Sequence, residues 1–560
     1  MKQNKSAFFV NQIVNVILIN LILLACYGPV AALAAVSCPS LAVPTGSTVS
    51  VNTEAELRLQ ASSAAPDTVI MIEAGTYLMQ DVIHVVNNGI VLRGGTGNRD
   101  DVILDFGGMD GEGHFGILVD GDDVTIADLT IRNANDHGVS IQGRDRPKLY
   151  NLHILDIGDQ LVKVNPPTDG SNGSEDGLLA CSLLEYTTNA PDNYTNGISA
   201  HQALRWTVRD NEFRRIRGPS GDAGPAVLFW SESLDTIVER NLLADCYRGI
   251  SFGDASHTGI DHSGGIVRNN FIYGSLFHDT AIEMVHAQNW IVAHNSVILL
   301  NPVSGLTWGI EARYAESNGT FAYNLTNMDI VPDRDSAVAS LNGNITDAET
   351  NWFVDNAVGG NLHLQPTATA AIDQASALPS VTDDFEGESR SVTPDIGADE
   401  TEPLPTVAST VPVYRFYSEL LKKHFFTKDS DEKDFIIANN PTDVWRYEGI
   451  AWYVYPDAED GLSPVYRFYS ELLQSHFYTT DANEKDYIIA TFSVGVWRYE
   501  GIAWYVYTDY QAGTLSVYRF YSELLRVHFY TMDENEKNVI IATSPEDIWR
   551  YEGITYYAYP

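Results

Sequence analysis

Between residues 126 and 326 one short phrase recurs eight times: an apolar residue, two variable positions, a ladder residue, one variable position and a second apolar residue. Five copies carry asparagine at the ladder position: Val208-x-x-Asn211-x-Phe213, Val238-x-x-Asn241-x-Leu243, Val267-x-x-Asn270-x-Ile272, Val292-x-x-Asn295-x-Val297 and Phe321-x-x-Asn324. Three carry an apolar residue there, in Ile126-x-x-Leu129-x-Ile131, Leu149-x-x-Leu152-x-Ile154 and Leu178-x-x-Cys181-x-Leu183. Successive ladder residues lie 23 to 30 positions apart. A period of that length denotes a solenoid, and short β-branched runs between Gly, Asn and Asp turns make its rungs strands. Register then becomes position, because residues one coil apart stand about 4.8 Å from each other.

The rest of the composition bounds the partners. At 560 residues there is room for two or three domains, and 44% hydrophobic content excludes wholesale disorder. A net charge of −40, from 74 acidic and 34 basic residues, excludes nucleic acid, whose phosphates need cations. It reads as a solubilising acidic surface, with calcium binding as the functional alternative.

Residues 1–35 read as an export signal: Lys2 and Lys5, an apolar stretch over 8–25, then the small-residue site Ala32-Leu33-Ala34. Asn11, Asn15 and Asn20 interrupt that stretch and Gly28-Pro29 breaks its end, so the expectation is a secreted protein with no integral membrane span. Leu23-Leu24-Ala25-Cys26 resembles a bacterial lipobox, which makes a lipid anchor at Cys26 the alternative. The remaining cysteines are Cys38, Cys181 and Cys246, enough for one disulfide with one thiol left over. On the ladder position, Cys181 reads as a small buried apolar residue. No CxxC pair is present, which argues against a zinc site of cysteine type.

Upstream, Val69-Ile70-Met71-Ile72-Glu73-Ala74-Gly75-Thr76-Tyr77 and Ile90-Val91-Leu92-Arg93-Gly94 read as strand, turn, strand. They resemble the opening coils of right-handed parallel β-helices of the pectate-lyase-like superfamily, and the resemblance extends over about residues 66–345. Ala371-Ile372-Asp373 and Pro394-Asp395-Ile396-Gly397-Ala398-Asp399-Glu400 resemble the ending of many secreted bacterial β-helix proteins. They are expected to seal the open edge of the stack. The expected β-helix domain spans 36–400, followed by a linker over 401–412.

From 413 to 560 three copies stand in series at an interval of 52 residues. Tyr414-Arg415-Phe416-Tyr417-Ser418-Glu419-Leu420-Leu421 recurs at Tyr466 and Tyr518, and Trp445-Arg446-Tyr447-Glu448-Gly449-Ile450 recurs at Trp497 and Trp549. Each copy also holds a His-Phe-aromatic-Thr run, at His424, His476 and His528, then an acidic stretch ending in Ile-Ile-Ala. These motifs resemble a repeat family of unknown function appended to secreted bacterial proteins. The expected fold class is all-β: a right-handed parallel β-helix followed by a threefold-repeat β domain, a β-trefoil first and a small propeller-like array second. The aromatic rows are expected to fill a core and the histidines to make structural hydrogen bonds. Exposed Tyr or Trp in equivalent pockets would instead stack on sugar rings.

Each coil carries a second strand with a small residue and an alternating apolar pair. Val139, Val162, Ile198, Val227, Ile250, Ile282 and Ile310 form its inward column. Ser140, Lys163, Ser199, Leu228, Ser251, Glu283 and Glu311 form one outward column, and Gln142, Asn165, His201, Trp230, Gly253, Val285 and Arg313 the other. Two chemistries fit. In a lyase, Lys163 or His201 takes a proton α to a uronic carboxyl group while Arg248, Arg313 or calcium neutralises the enolate. The stretch Asp159 to Lys163 distantly resembles the strand that carries the catalytic lysine in some β-helix uronate lyases. In a hydrolase, Glu283 and Glu311 form a carboxylate pair at retaining separation, countered by Arg313. Trp230, Asn165 and Gln142 are the candidate substrate contacts, and the loop with Asp169, Glu175 and Asp176 loosely resembles a calcium site. In the bland alternative the glutamates only salt-bridge Arg313 and Lys163 pairs with a loop carboxylate. The expectation is thus a monomeric protein that binds a polysaccharide or cell-surface glycan, with its cleavage left open between a lyase and a hydrolase and with calcium as the one candidate cofactor. A non-catalytic adhesion protein is the rival.

Overall fold

The computed structural model describes residues 38–42, 46–110, 115–167, 173–365, 368–401, 410–441, 444–459, 461–511, 514–544 and 548–560. The expected signal segment, Cys26, Asp169 and most of the expected linker lie outside them. The chain divides into two compact units that part between Thr401 and Glu402. No helix among the described residues is long and apolar enough to cross a membrane.

The first unit is a parallel β-helix. Ten parallel strands form one face, in the order Ile83–Val85, Ile117–Val119, Val139–Gln142, Val162–Asn165, Ile198–His201, Pro225–Trp230, Arg248–Phe252, Thr280–Val285, Trp308–Arg313 and Ile330–Arg334. A second parallel sheet forms the rest of the coil wall. The inward column expected from alternation is the column observed: Val139, Val162, Ile198, Val227, Ile250, Ile282 and Ile310 stack in register and are buried. At the start of the stack, the helix Glu54–Ser63 is capped by the Thr53 hydroxyl and turns Leu57 and Ala61 into the same core.

The asparagine ladder is internal. Each Nδ2 of Asn211, Asn241, Asn270 and Asn295 donates to the Oδ1 of the next, at 2.9–3.0 Å, and Asn324 continues the row to Asn344. Each Oδ1 also accepts a backbone N–H from the preceding coil, as Asn270 does from Asn241. The row therefore satisfies main-chain groups at a bend where no strand partner exists.

One copy of the repeat sits a residue away from the expected frame. Pairing of Leu149 with Leu179 and of Ile154 with Leu184 places Ser182, not Cys181, over Leu152. A slip of one position exchanges faces. Cys181 leaves the main core, stays buried in a small cluster with Ala127, Tyr150 and Ala180, and forms a disulfide with Cys38. Cys246 is the remaining thiol, buried.

The described residues of 346–401 hold little regular structure and pack along the flank of the later coils. Phe385 stacks on Phe271, and Phe353, Leu364, Ile396 and Ala398 join a second core with Leu242 and Leu325. The last rung of the second sheet, Val338–Asn342, keeps Val338 71% and Leu341 55% exposed, so this segment covers a flank rather than that edge.

In the second unit each repeat forms its own three-stranded antiparallel sheet, the first being Val411–Ser418 between Lys423–Thr427 and Arg446–Val454. The acidic stretch is a helix in every copy: Ser430–Asn439, Ala482–Thr491 and Glu534–Thr543. Asp429 and Asp481 cap the first two, and acidic residues fill all three first turns. Three separate sheets with helices lie nearer the propeller-like expectation than the trefoil. Backbone bridges Tyr453–Tyr559, Tyr455–Tyr505 and Tyr507–Tyr557 join the copies. The ion pairs Arg415–Glu536, Arg467–Glu432 and Arg519–Glu484 link each copy to the next and close the array. The aromatics Phe426, Trp452, Tyr478, Trp504, Tyr530 and Tyr556 fill its centre, as expected for most of these rows.

Candidate functional site

Strand pairing aligns the outward columns of the ten-stranded face as the sequence suggested, with Ser140, Lys163, Ser199 and Leu228 on successive rungs and Glu283 beside Glu311. Yet the first column is roofed over. Ser140, Lys163, Ser199, Leu228, Ser251, Glu283 and Glu311 are all buried. The polar groups therefore sit in low dielectric, where partners decide what each can do.

At one end Lys163 and His201 meet. The Lys163 Nζ donates to His201 Nε2 at 3.1 Å and lies 3.3 Å from Ser199 Oγ. The Tyr194 ring faces it with its centroid at 5.7 Å, and Tyr194 itself is half exposed. Lys163 forms no ion pair among the described residues, contrary to the bland expectation. Burial pushes its pKa down to about 8, against the pull of Asp159 and Asp136. Burial and Lys163 together push His201 down to about 4, so its imidazole is neutral.

Next to this pair, Asp136 and His137 lie one coil from Asp159, in the turns that lead into the Val139–Gln142 and Val162–Asn165 strands. Asp159 N donates to Asp136 O at 2.8 Å, which stacks the two turns. The ligand atoms of Asp136, His137 and Asp159 lie within 4.8 Å of one another, a set able to hold a divalent cation. Burial and the neighbouring Asp136 raise Asp159 to about 7, an excess of negative charge that such an ion would relieve. The sequence argument missed these residues. Extending the strand frame three positions into the turn would have found them.

A 450 Å³ pocket opens on the same face. Phe115, His137, Ser140, Gln142, Arg144 and Asn165 are among its lining residues. Gln142 and Asn165, two of the three expected substrate contacts, both donate to Ser140 Oγ. Trp230 stands apart from them. One face of its ring stacks on His257 at 4.7 Å, its indole meets the edge of His201 at 4.4 Å, and that stacked face is already occupied.

The glutamates form a separate site. Glu283 lies four rungs from Lys163, about 19 Å at the strand spacing. Glu283 is bonded to Arg248, and Glu311 accepts two bonds from Arg334 Nη1 at 2.6 and 2.9 Å. Burial raises both carboxyl pKa values, and the arginines oppose that rise. Arg313 instead pairs with Asp335 at 3.3 Å and lies over Tyr314. The expected counter-ion is thus replaced by Arg248 and Arg334. The expected calcium loop also differs: Glu175 and Asp176 both pair with Arg205, which fills the place of a cation.

In the second unit, His424, His476 and His528 each approach a glutamate of their own repeat, Glu448, Glu500 and Glu552, at 3.4 Å. A 370 Å³ pocket lies where the first and third repeats meet, lined by Tyr417, His424, Phe529, Glu536 and the half-buried Trp549 among others.

A family model described as a right handed beta helix region matches residues 81–307. The chain contains a right-handed β-helix. A domain of unknown function matches residues 398–495 and again 490–559, covering the threefold repeats. No curated protein matches the chain. Solved structures similar to it include an alginate lyase from Paenibacillus sp. str. FPU-7, at 17% identity and TM-score 0.39 over 53% of this chain and 99% of that one. Pectate lyase Pel9A is similar at 13% identity and TM-score 0.40, over 61% and 90%. PfbA, a surface adhesin of Streptococcus pneumoniae, is similar at 10% and 0.36, over 52% and 86%. A fold does not by itself set a function, so the function has to be argued from the site.

Proposed function

We propose that this protein is exported and that its β-helix binds an acidic extracellular polysaccharide along its ten-stranded face and cleaves it by β-elimination at Lys163. The observation that carries this reading is a buried lysine without an ion pair among the described residues, held by a neutral histidine beside a substrate-sized pocket. With a pKa near 8, roughly a tenth of the Lys163 side chains are neutral amines at pH 7. That amine takes the proton α to a uronate carboxyl group. The electron pair forms the new carbon–carbon double bond and expels the glycosidic oxygen, which the Tyr194 hydroxyl protonates. His201 holds the amine in place, and Arg144 in the pocket attracts the substrate carboxylate. A divalent cation on Asp136, His137 and Asp159 would add positive charge where the enolate develops.

The carboxylate-pair alternative has less support, because an arginine engages each of Glu283 and Glu311. A buried carboxylate bound in this way is neither a free nucleophile nor a proton donor. The threefold unit serves as a glycan-binding module in this reading. Its pocket presents Trp549, Tyr417 and His424, and the interval of 52 residues repeats the tryptophan as Trp445 and Trp497. Three such sites would add avidity for a polymer.

The test is incubation of the full protein with a panel of uronate and neutral polysaccharides, following both the ultraviolet band of unsaturated uronate ends and the appearance of reducing ends. Both signals on a uronate polymer support elimination. Reducing ends alone would indicate hydrolysis. Binding without either signal would leave the adhesion reading.

A further inference from the structure

A second cluster of metal-ligating side chains lies away from the Lys163 face, in the segment that covers the flank of the later coils. The ligand atoms of His363, Glu386 and Asp399 fall within 4.8 Å of one another. They come from three loops, two of which are joined by the main-chain bond from Phe385 N to Ala398 O at 2.8 Å. Asp399 is only 6% exposed, and its Oδ2 accepts the backbone N–H of Leu364 at 2.7 Å.

The imidazole is oriented as a ligand. His363 Nδ1 lies 2.7 Å from Asn361 Oδ1, and the backbone N–H of His363 points at the same atom at 3.4 Å. Two donors converging on one atom identify it as the amide oxygen, so Nδ1 carries the ring proton. Nε2 then faces Glu386, with which it is in contact, and Asp399. A proton on Nε2 would satisfy Glu386 alone, whereas a metal ion at this point would engage Nε2 and both carboxylates.

Asp384, 1% exposed, adds its field to Glu386 and Asp399, and none of the three forms an ion pair with lysine or arginine among the described residues. The nearby arginines are committed elsewhere, Arg390 to Glu400 and Arg240 and Arg268 to Asp383. Phe271 and Phe385 wall the imidazole at 5.1 and 6.0 Å, and the partly exposed Glu386 gives a path from solvent.

We propose that this flank segment holds a divalent transition-metal ion of the zinc class on His363 Nε2, Glu386 and Asp399, staples its three loops together, and leaves a fourth position for water. One imidazole with two carboxylates is a borderline-soft set that favours Zn²⁺ over Ca²⁺ or Mg²⁺. The Asn361 contact is the outer-shell partner that a ligating histidine requires.

The test is calorimetric titration of the chelator-stripped full-length protein with Zn²⁺, Mn²⁺, Ca²⁺ and Mg²⁺, alongside thermal melting. The expected result is tightest binding of Zn²⁺ with a raised melting temperature. Glu386→Gln should abolish that site, and Asn361→Ala should weaken it on the order of 10–100-fold. His137→Ala, in the other metal-capable cluster, should leave it intact. Wild-type zinc affinity in both Glu386→Gln and Asn361→Ala would overturn the proposal. So would loss of all zinc binding in His137→Ala, tighter binding of Ca²⁺ than of Zn²⁺, or no binding of any of the four ions.

Discussion

The Lys163 amine donates to Nε2 of His201 across 3.1 Å and engages no described carboxylate in an ion pair. A buried lysine in this state is costly to the fold, because desolvation disfavours its charged form and no opposite charge in contact repays it. Removing the amine should therefore separate stability from activity. Lys163→Met is expected to melt at or above the wild-type temperature while losing about 10²–10⁴-fold in kcat on a uronate polymer. Paired melting curves and initial rates check this.

The same amine sets a pH dependence. Its folded pKa, about 8, lies below the unfolded value of 10.5, so the native state releases this proton first. Below pH 8 both states are charged and the fold bears the full penalty, about 3 kcal/mol for a shift of this size. Between pH 8 and 10.5 the unfolded state holds the extra proton, and stability rises with pH. Asp159 works in the opposite sense at lower pH: its pKa is raised to about 7, so its contribution is present below 3.8 and lost as pH rises through 7. Comparing denaturant midpoints of wild type and Lys163→Met from pH 7 to 10.5 isolates the lysine. The wild type should gain relative to the variant over that window, and kcat/KM should rise through pH 8.

Glu283 should matter to the fold and not to the bond-breaking step. Glu283→Gln removes the nearer counter-charge of Arg248 and leaves it Asp279 at 3.6 Å, a change expected to cost about 3 kcal/mol, the lower end for a broken buried pair. In a background stable enough to remain folded, initial rates should stay within a few-fold of wild type.

The asparagine row makes a prediction of stability alone. Asn270 donates to Val238 O, Arg268 O and Asn295 Oδ1 and accepts from the Asn241 backbone. Asn270→Ala strands buried main-chain groups and should cost at least about 2 kcal/mol. Asn318→Ala, at an exposed position, should cost far less. Chemical denaturation of the two variants provides the comparison.

Much of this geometry was legible in the chain. The inward Val/Ile column fixed the register of seven strands, since a slip would have turned every one of those residues outward. The frame failed at Cys181 because Leu178-Leu179 and Leu183-Leu184 satisfy either register equally well. What register could not supply was the roof. Arg334 reaches Glu311 from a strand whose pairing shifts between Glu311 and Arg313, a bulge that ladder spacing does not encode. The helix of each C-terminal repeat was visible in principle: an Asp cap ahead of an acidic first turn is a helix start, but the aromatic rows on either side pointed to strands.

The central claim is that Lys163 is the base of an elimination. The most direct measurement is the ultraviolet absorbance of unsaturated uronate ends released from a uronate polysaccharide by the wild type and by Lys163→Met. The account predicts a rising band with the wild type and essentially none with the variant. Equal rates in the two proteins, or reducing ends formed without the band, would contradict it.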